Sequence, residues 1–184
     1  MTPELKDQLA RIIPMHGWCT LEKAEALAET VLELKPDTVV EIGVFGGRSL
    51  AALGFAVKAN LRGYVYGIDP WTKRSVVEGN VGEENAKWWD SLDIDGIHEH
   101  CLHFLTHFQL WRCVKIVGIP SEHCAGAFKS IDLLHIDGNH SEEVSCRDVA
   151  LYVPKVRVGG YVWFDDTDWA STNRAVGLLS TLCA

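Results

Sequence analysis

Thr38-Val39-Val40-Glu41-Ile42-Gly43-Val44-Phe45-Gly46-Gly47-Arg48-Ser49 (residues 38–49) passes from a β-branched run, through three glycines, into the alanine-rich segment 49–59. The first five residues suit a strand. The glycines permit a tight turn and a close backbone approach to a ligand. The small residues that follow suit a helix lying close against a sheet. A helix N-terminus placed after such a turn favours partial negative charge.

Four more runs resemble the first. Residues 63–69 (GYVYGID), 113–117 (CVKIV), 131–137 (IDLLHID) and 160–165 (GYVWFD) are β-branched or aromatic, and all but the second end in an acid. They are continuous rather than alternating, as expected of strands buried on both faces of a parallel sheet. Helical patterns separate them. Residues 21–34 follow Thr20 as N-cap and stop before Pro36, and residues 142–153 follow Ser141 and stop at Pro154. Alternating strand and helix predict a doubly wound, mostly parallel α/β domain. Its ligand belongs outside the carboxyl ends of the strands, near the switch point.

The 184 residues are expected to form one domain over 1–184, with a helical N-terminal segment over 1–36. Residues 70–110 are too long for a simple connection. They carry Trp88-Trp89-Asp90 and a helix with His98, His100, Cys101, His103 and His107. This insertion is either a lid or substrate wall, or the core of a local helical subdomain. A net charge of −8 argues against nucleic acid or an anionic membrane as partner. No apolar leader and no membrane-spanning run is expected. Six scattered cysteines without a C-x-x-C pair suggest reduced thiols in the cytoplasm.

Acids at strand ends carry the chemistry. Asp69 closes the second run, where a carboxylate can accept hydrogen bonds from both ribose hydroxyls of a nucleoside, or can form an Asp-Pro turn with Pro70. Asp137 ends one strand and Asp165-Asp166 the next. If those strands are neighbours, three carboxylates converge, and mutual repulsion calls for a cation. Mg²⁺ or a similar oxygen-liganded ion would answer it; a capped turn with one acid in solvent is the alternative. His140, three positions past Asp137, can take a proton from an activated hydroxyl, or can simply bond a backbone group at the helix start. Asn139 has no evident role.

With E-I-G-V-F-G-G-R-S, G-I-D-P-W, I-D-G-N-H-S-E-E-V and G-G-Y-V-W-F-D-D in one order, residues 39–168 resemble class I S-adenosylmethionine-dependent methyltransferases. More narrowly they are similar to the metal-dependent sugar O-methyltransferases of the macrocin and mycinamicin type. The resemblance implies a Rossmann-like sheet and S-adenosylmethionine as methyl donor. It implies that Glu41, Gly43, Phe45, Gly46 and Ser49 hold the methionine part, that Asp69 binds the ribose, and that Ser121 and Glu122 lie at the adenine. Asp137 would border the cofactor and, with Asp165 and Asp166, ligate Mg²⁺; His140 would take the place of the acid–base residue. The acceptor would be a hydroxyl of a small molecule or glycan, with a second copy of the chain as a further partner. Two strands that normally complete such a sheet as an antiparallel hairpin are missing after Asp168.

Two other functions stay open. A nicotinamide-dependent oxidoreductase could use a similar sheet, although G-x-x-G-G is not the dinucleotide fingerprint. A non-catalytic scaffold could retain a degenerate pocket. His103 and His107, at i and i+4, also offer two zinc ligands, without a convincing third.

Overall fold

A computed structural model of the chain describes residues 1–183. Two helices open it, α1 (Pro3–Ala10) and α2 (Leu21–Leu34), followed by β1 (Thr38–Ile42), α3 (Arg48–Asn60) and β2 (Tyr64–Ile68). The insertion folds as α4 (Lys73–Val76), α5 (Glu83–Ser91) and α6 (Ile94–His107). Then come β3 (Val114–Val117), α7 (Ser121–Cys124), β4 (Ile131–Ile136), α8 (Glu142–Tyr152), β5 (Val156–Phe164) and α9 (Asn173–Leu182). Thr20 and Ser141 cap their helices as expected, accepting from the N–H groups of Lys23 and Val144.

The strands form one parallel sheet in the order β3-β2-β1-β4-β5. From β1 the chain steps outward through β2 and β3, then returns to the other side of β1 with β4. The switch point therefore lies between β1 and β4. Alternate residues of the inner strands feed two cores. Val39, Val65 and Leu133 pack with α1, α2, α3 and α6, whereas Val40, Ile68 and Leu134 pack with α8 and α9. Burial on both faces explains why these runs read as continuous apolar stretches.

Strand β5 departs from expectation. It begins at Val156, four residues before the predicted start, and none of its residues is fully buried. As the last strand it has one neighbour instead of two. Its pairing with β4 jumps from Ile131↔Val156 to Leu133↔Tyr161, and Gly159 in the left-handed region (φ 76°) absorbs the extra residues. No hairpin follows β5 among the described residues, where α9 lies against α8 instead.

The register fixes what the sheet presents. Val117, Ile68, Ile42, Ile136 and Phe164 stand abreast. The next residue on each strand is Gly118, Asp69, Gly43, Asp137 or Asp165. The ladder continues through four of these, with their N–H groups donating to the neighbouring strand at 2.8–3.2 Å. Three acids thus share one level at the carboxyl edge, flanking a glycine at the switch point.

Candidate active site

Asp137 borders the switch point and is partly buried. Burial pushes its carboxyl above the usual carboxylate range, against the pull of His135 and Lys23. Its Oδ2 lies 3.5 Å from the Lys23 ammonium, which is ion-paired more closely to Asp165 Oδ2. Asp166 turns the other way. It sits in the left-handed region (φ 52°) and brings Oδ2 to 2.8 Å from His140 Nε2. The His140 ring also lies against Trp169, with centroids 4.6 Å apart.

The single cluster of three acids expected from the sequence is therefore divided in two. His135, Asp137 and Asp165 offer ligand atoms within 4.8 Å of one another, and so do Asp137, His140 and Asp166. Asp137 belongs to both sets. The left-handed turn at Asp166 separates its carboxylate from that of Asp165, and a basic side chain already faces each: the Lys23 ammonium at Asp165 and the His140 imidazole at Asp166. His103 and His107 lie on the exposed side of α6 and join neither set.

His135 and Lys23 were not read as site residues. His135 is fully buried inside β4, with Nδ1 2.8 Å from Glu41 Oε1, and Glu41 is equally buried. Glu41 was expected at the cofactor; the structure instead commits it to this pair, off the cavity wall. Gly46 is corrected in the same way. A Cβ there would fall on the backbone of His16, so that glycine admits the N-terminal segment rather than a ligand. Arg48, the first residue of α3, fastens that segment by donating to the carbonyls of Met15 (2.7 Å) and Ile13 (2.6 Å).

The other expected residues do share one cavity, of about 660 Å³. Gly43, Phe45, Ser49, Asp69, Ser121, Glu122, Asp137, His140, Asp165 and Asp166 all line it. Gly43 has φ 85°, and a Cβ on it would collide with the backbone carbonyl of Asp137. The glycine is required by the close approach of β1 to the end of β4. Asp69 accepts from the N–H groups of Val44 (3.0 Å), Phe45 (2.9 Å) and Trp71 (2.8 Å). It thereby fixes the glycine loop in shape, although burial outweighs these bonds and raises its pKa. At the far end Ser121 donates to Asp148 Oδ1 at 2.5 Å, and Glu122 pairs with Arg147 at 3.4 Å. α3 begins at Gly47 with no side-chain cap and no acid in its first turn. Its first N–H groups are thus left for other acceptors.

Residues 40–167 match the family described as a methyltransferase domain. The chain belongs to that family. Tricin synthase 1 of Oryza sativa subsp. japonica is 27% identical over 174 residues, which are 92% of this chain and 62% of the relative. The chain thus spans less than two thirds of that relative's length. Among solved structures, the O-methyltransferase NovP superposes with a TM-score of 0.68 at 18% identity, over 95% of this chain and 86% of NovP. The O-methyltransferase TomG from Streptomyces achromogenes, solved in complex with SAM, has a TM-score of 0.63 at 14% identity, over 99% and 78% of the two chains.

In this methyltransferase domain the insertion forms the outer wall of the cavity. Val76, Val81, Trp88 and Trp89 line it from α4, α5 and the turn between them. Trp18, from the N-terminal segment, stacks on Phe45 at 5.3 Å and meets Trp88 at 5.4 Å. Asn139 finds its role here. Its Nδ2 lies 2.9, 3.2 and 3.1 Å from the carbonyls of Ser75, Val76 and Glu78, and its Oδ1 accepts from Ser141 N–H at 2.7 Å. One amide therefore pins the insertion to the turn that carries Asp137 and His140.

Proposed function

We propose that the chain is an S-adenosylmethionine-dependent O-methyltransferase acting, with a divalent cation such as Mg²⁺, on a hydroxyl of a small molecule or sugar. One observation carries the reading. Gly43, Asp69, Asp137 and Asp165 stand one residue past the ends of four adjacent strands, around one cavity at the switch point. The relatives named as O-methyltransferases point the same way.

The cavity suits the methyl donor in size and in lining. The uncapped start of α3, with Ser49, can take the carboxylate of the methionine part. Asp69 has accepted three hydrogen bonds of roughly four that a carboxylate can take, leaving one site for a ribose hydroxyl. Ser121 and Glu122, beyond Asp69, are left for the adenine. S-adenosylmethionine would supply a methyl group activated by the sulfonium charge.

The acid end fits a divalent ion. Asp137, Asp165 and Asp166 are hard oxygen donors, Asp137 is within reach of both others, and a lysine ammonium already rests on two of the three. A bound ion would lower the pKa of the acceptor hydroxyl and fix its orientation. His140, as neutral imidazole, would accept the hydroxyl proton, and Asp166 beside it would stabilise the resulting charge. The aromatic wall of Trp18, Trp88 and Trp169 would give the acceptor a flat apolar surface to lie on. Six unbridged cysteines favour a reducing compartment such as the cytoplasm. No helix among the described residues is long and apolar enough to cross a membrane.

Calorimetry with S-adenosylmethionine, followed by a mass-spectrometric screen for methylated sugars and phenols with and without EDTA, tests the reading. Asp137→Ala and Asp166→Ala are expected to abolish transfer while cofactor binding persists. Full activity in EDTA would remove the metal from the mechanism. Heat with NADH but not with S-adenosylmethionine would favour an oxidoreductase, and heat with neither a scaffold.

A further inference from the structure

Lys23 belongs to the first turn of α2, far in sequence from the acids it meets. Thr20 caps that turn, accepting from Lys23 N–H at 3.2 Å, and the side chain leaves the helix toward the sheet edge. Its ammonium contacts Asp165 Oδ2 and lies 3.5 Å from Asp137 Oδ2. The three side chains are only 21%, 28% and 23% exposed, so solvent screens their charges incompletely. Among the described residues, no other lysine or arginine is ion-paired to these two carboxylates.

Nothing in the anchoring of α2 depends on this contact. The helix is held by Ala24, Leu27, Ala28 and Val31, which are buried in the core. A lysine stem is flexible at four carbons, so the ammonium can swing away while the helix stays in place. Lysine offers three donors and a single positive charge. It can hold two carboxylates together, but it cannot neutralise both.

We propose that Lys23 is the built-in counter-ion of the Asp137–Asp165 pair, and that a divalent cation enters this site only by displacing its ammonium. The proposal rests on the metal reading above and deepens it. The acid edge is then held together in the absence of metal, and metal affinity is set by competition with a tethered positive charge. Like charges a few ångströms apart, partly screened, weaken binding by about ten- to a hundred-fold.

Mn²⁺ titrated calorimetrically into the wild-type chain, Lys23→Met and Lys23→Gln, at constant pH and low salt, tests this. Both variants are expected to bind Mn²⁺ about ten-fold tighter or more. Both should also melt lower than wild type in EDTA and gain more from added Mn²⁺. Two variants of different polarity, checked by circular dichroism, guard against a folding defect in either one. Equal or weaker Mn²⁺ affinity in both overturns the role of Lys23 and leaves the metal site standing. No Mn²⁺ uptake by any of the three proteins removes the metal site and the proposal together, while S-adenosylmethionine binding, measured in the same instrument, is judged separately.

Discussion

Asp148 makes the stability of this fold depend on pH in a direction opposite to that of a salt-bridged acid. It lies on α8, 1% exposed, against Ser121 at the far end of the cavity. Burial raises its pKa from 3.8 to about 6, despite the Ser121 hydroxyl and the nearby Arg147. The folded chain then keeps its proton up to about pH 6, whereas the unfolded chain releases it near 3.8. Between those values the unfolded state binds fewer protons, so stability falls as pH rises. Two units at ~1.4 kcal/mol each give a loss of about 3 kcal/mol, complete above pH 6. Asp148→Asn keeps an oxygen for Ser121 to donate to and has no proton to lose. Urea denaturation of both proteins between pH 4 and 7, followed by tryptophan fluorescence, should show the wild type losing about 3 kcal/mol more than the variant. Asp69 and Asp137 also have raised values, but they are common to both proteins and cancel in the difference. Parallel pH curves for the two proteins would refute the reasoning.

Two further outcomes follow from backbone geometry. Gly43→Ala puts a Cβ on a left-handed residue and into the Asp137 carbonyl, so a loss of at least about 2 kcal/mol is expected, lowering Tm by roughly 4–8 °C; an unchanged Tm would mean that β1 and β4 are not in such close contact there. Asn139→Ala removes the amide that pins residues 75–78, at a global cost of about 1–2 kcal/mol. Amide exchange should quicken across residues 75–81 and stay slow in β1 and β4, and uniform exchange with wild type would show that the wall is held by other contacts.

The strands were legible where the sheet buries them twice, because residues 38–42, 64–68 and 131–136 are then mostly apolar on both faces, interrupted only by a few polar residues such as Glu41 and His135. The helices were legible at their ends, through Thr20 and Ser141 as caps and Pro36 and Pro154 as stops. The start of β5 was not, since an edge strand with an irregular register carries neither signal. The acids were found because a strand end is a local feature. Their pairing was hidden, since the left-handed turn at Asp166 is held by Thr172 Oγ1 and Trp169 N–H donating to its carbonyl, at 2.7 and 3.2 Å. Lys23 and Asn139 act through contacts 142 and 61–64 residues away in sequence, which no local pattern announces. His135 was masked by its apolar neighbours. Gly46 and Gly47 were misleading for the opposite reason: the motif suggests a ligand, but the space beside them is taken by His16 and Cys101.

The distribution of positive charge along the acid edge decides which substitution interrogates the site most cleanly. On a chain of net charge −8, each carboxylate there needs local compensation. Asp69 has three backbone N–H groups, Asp165 has Lys23, and Asp166 has His140. Asp137 has the more distant side of Lys23 and the pull of His135, and it alone belongs to both ligand sets. Removing Asp165 would therefore delete a ligand and release Lys23 at once, mixing two effects of opposite sign on metal affinity. Removing Asp166 would delete a ligand and leave His140 without its carboxylate, mixing metal affinity with proton transfer. Asp137→Ala keeps both of those pairs intact and takes away the shared carboxylate. Loss of Mn²⁺ binding in that variant, with S-adenosylmethionine binding retained, isolates the metal from the base and from the tethered lysine. Retained Mn²⁺ binding would move the ion away from the centre of the edge, to one flank.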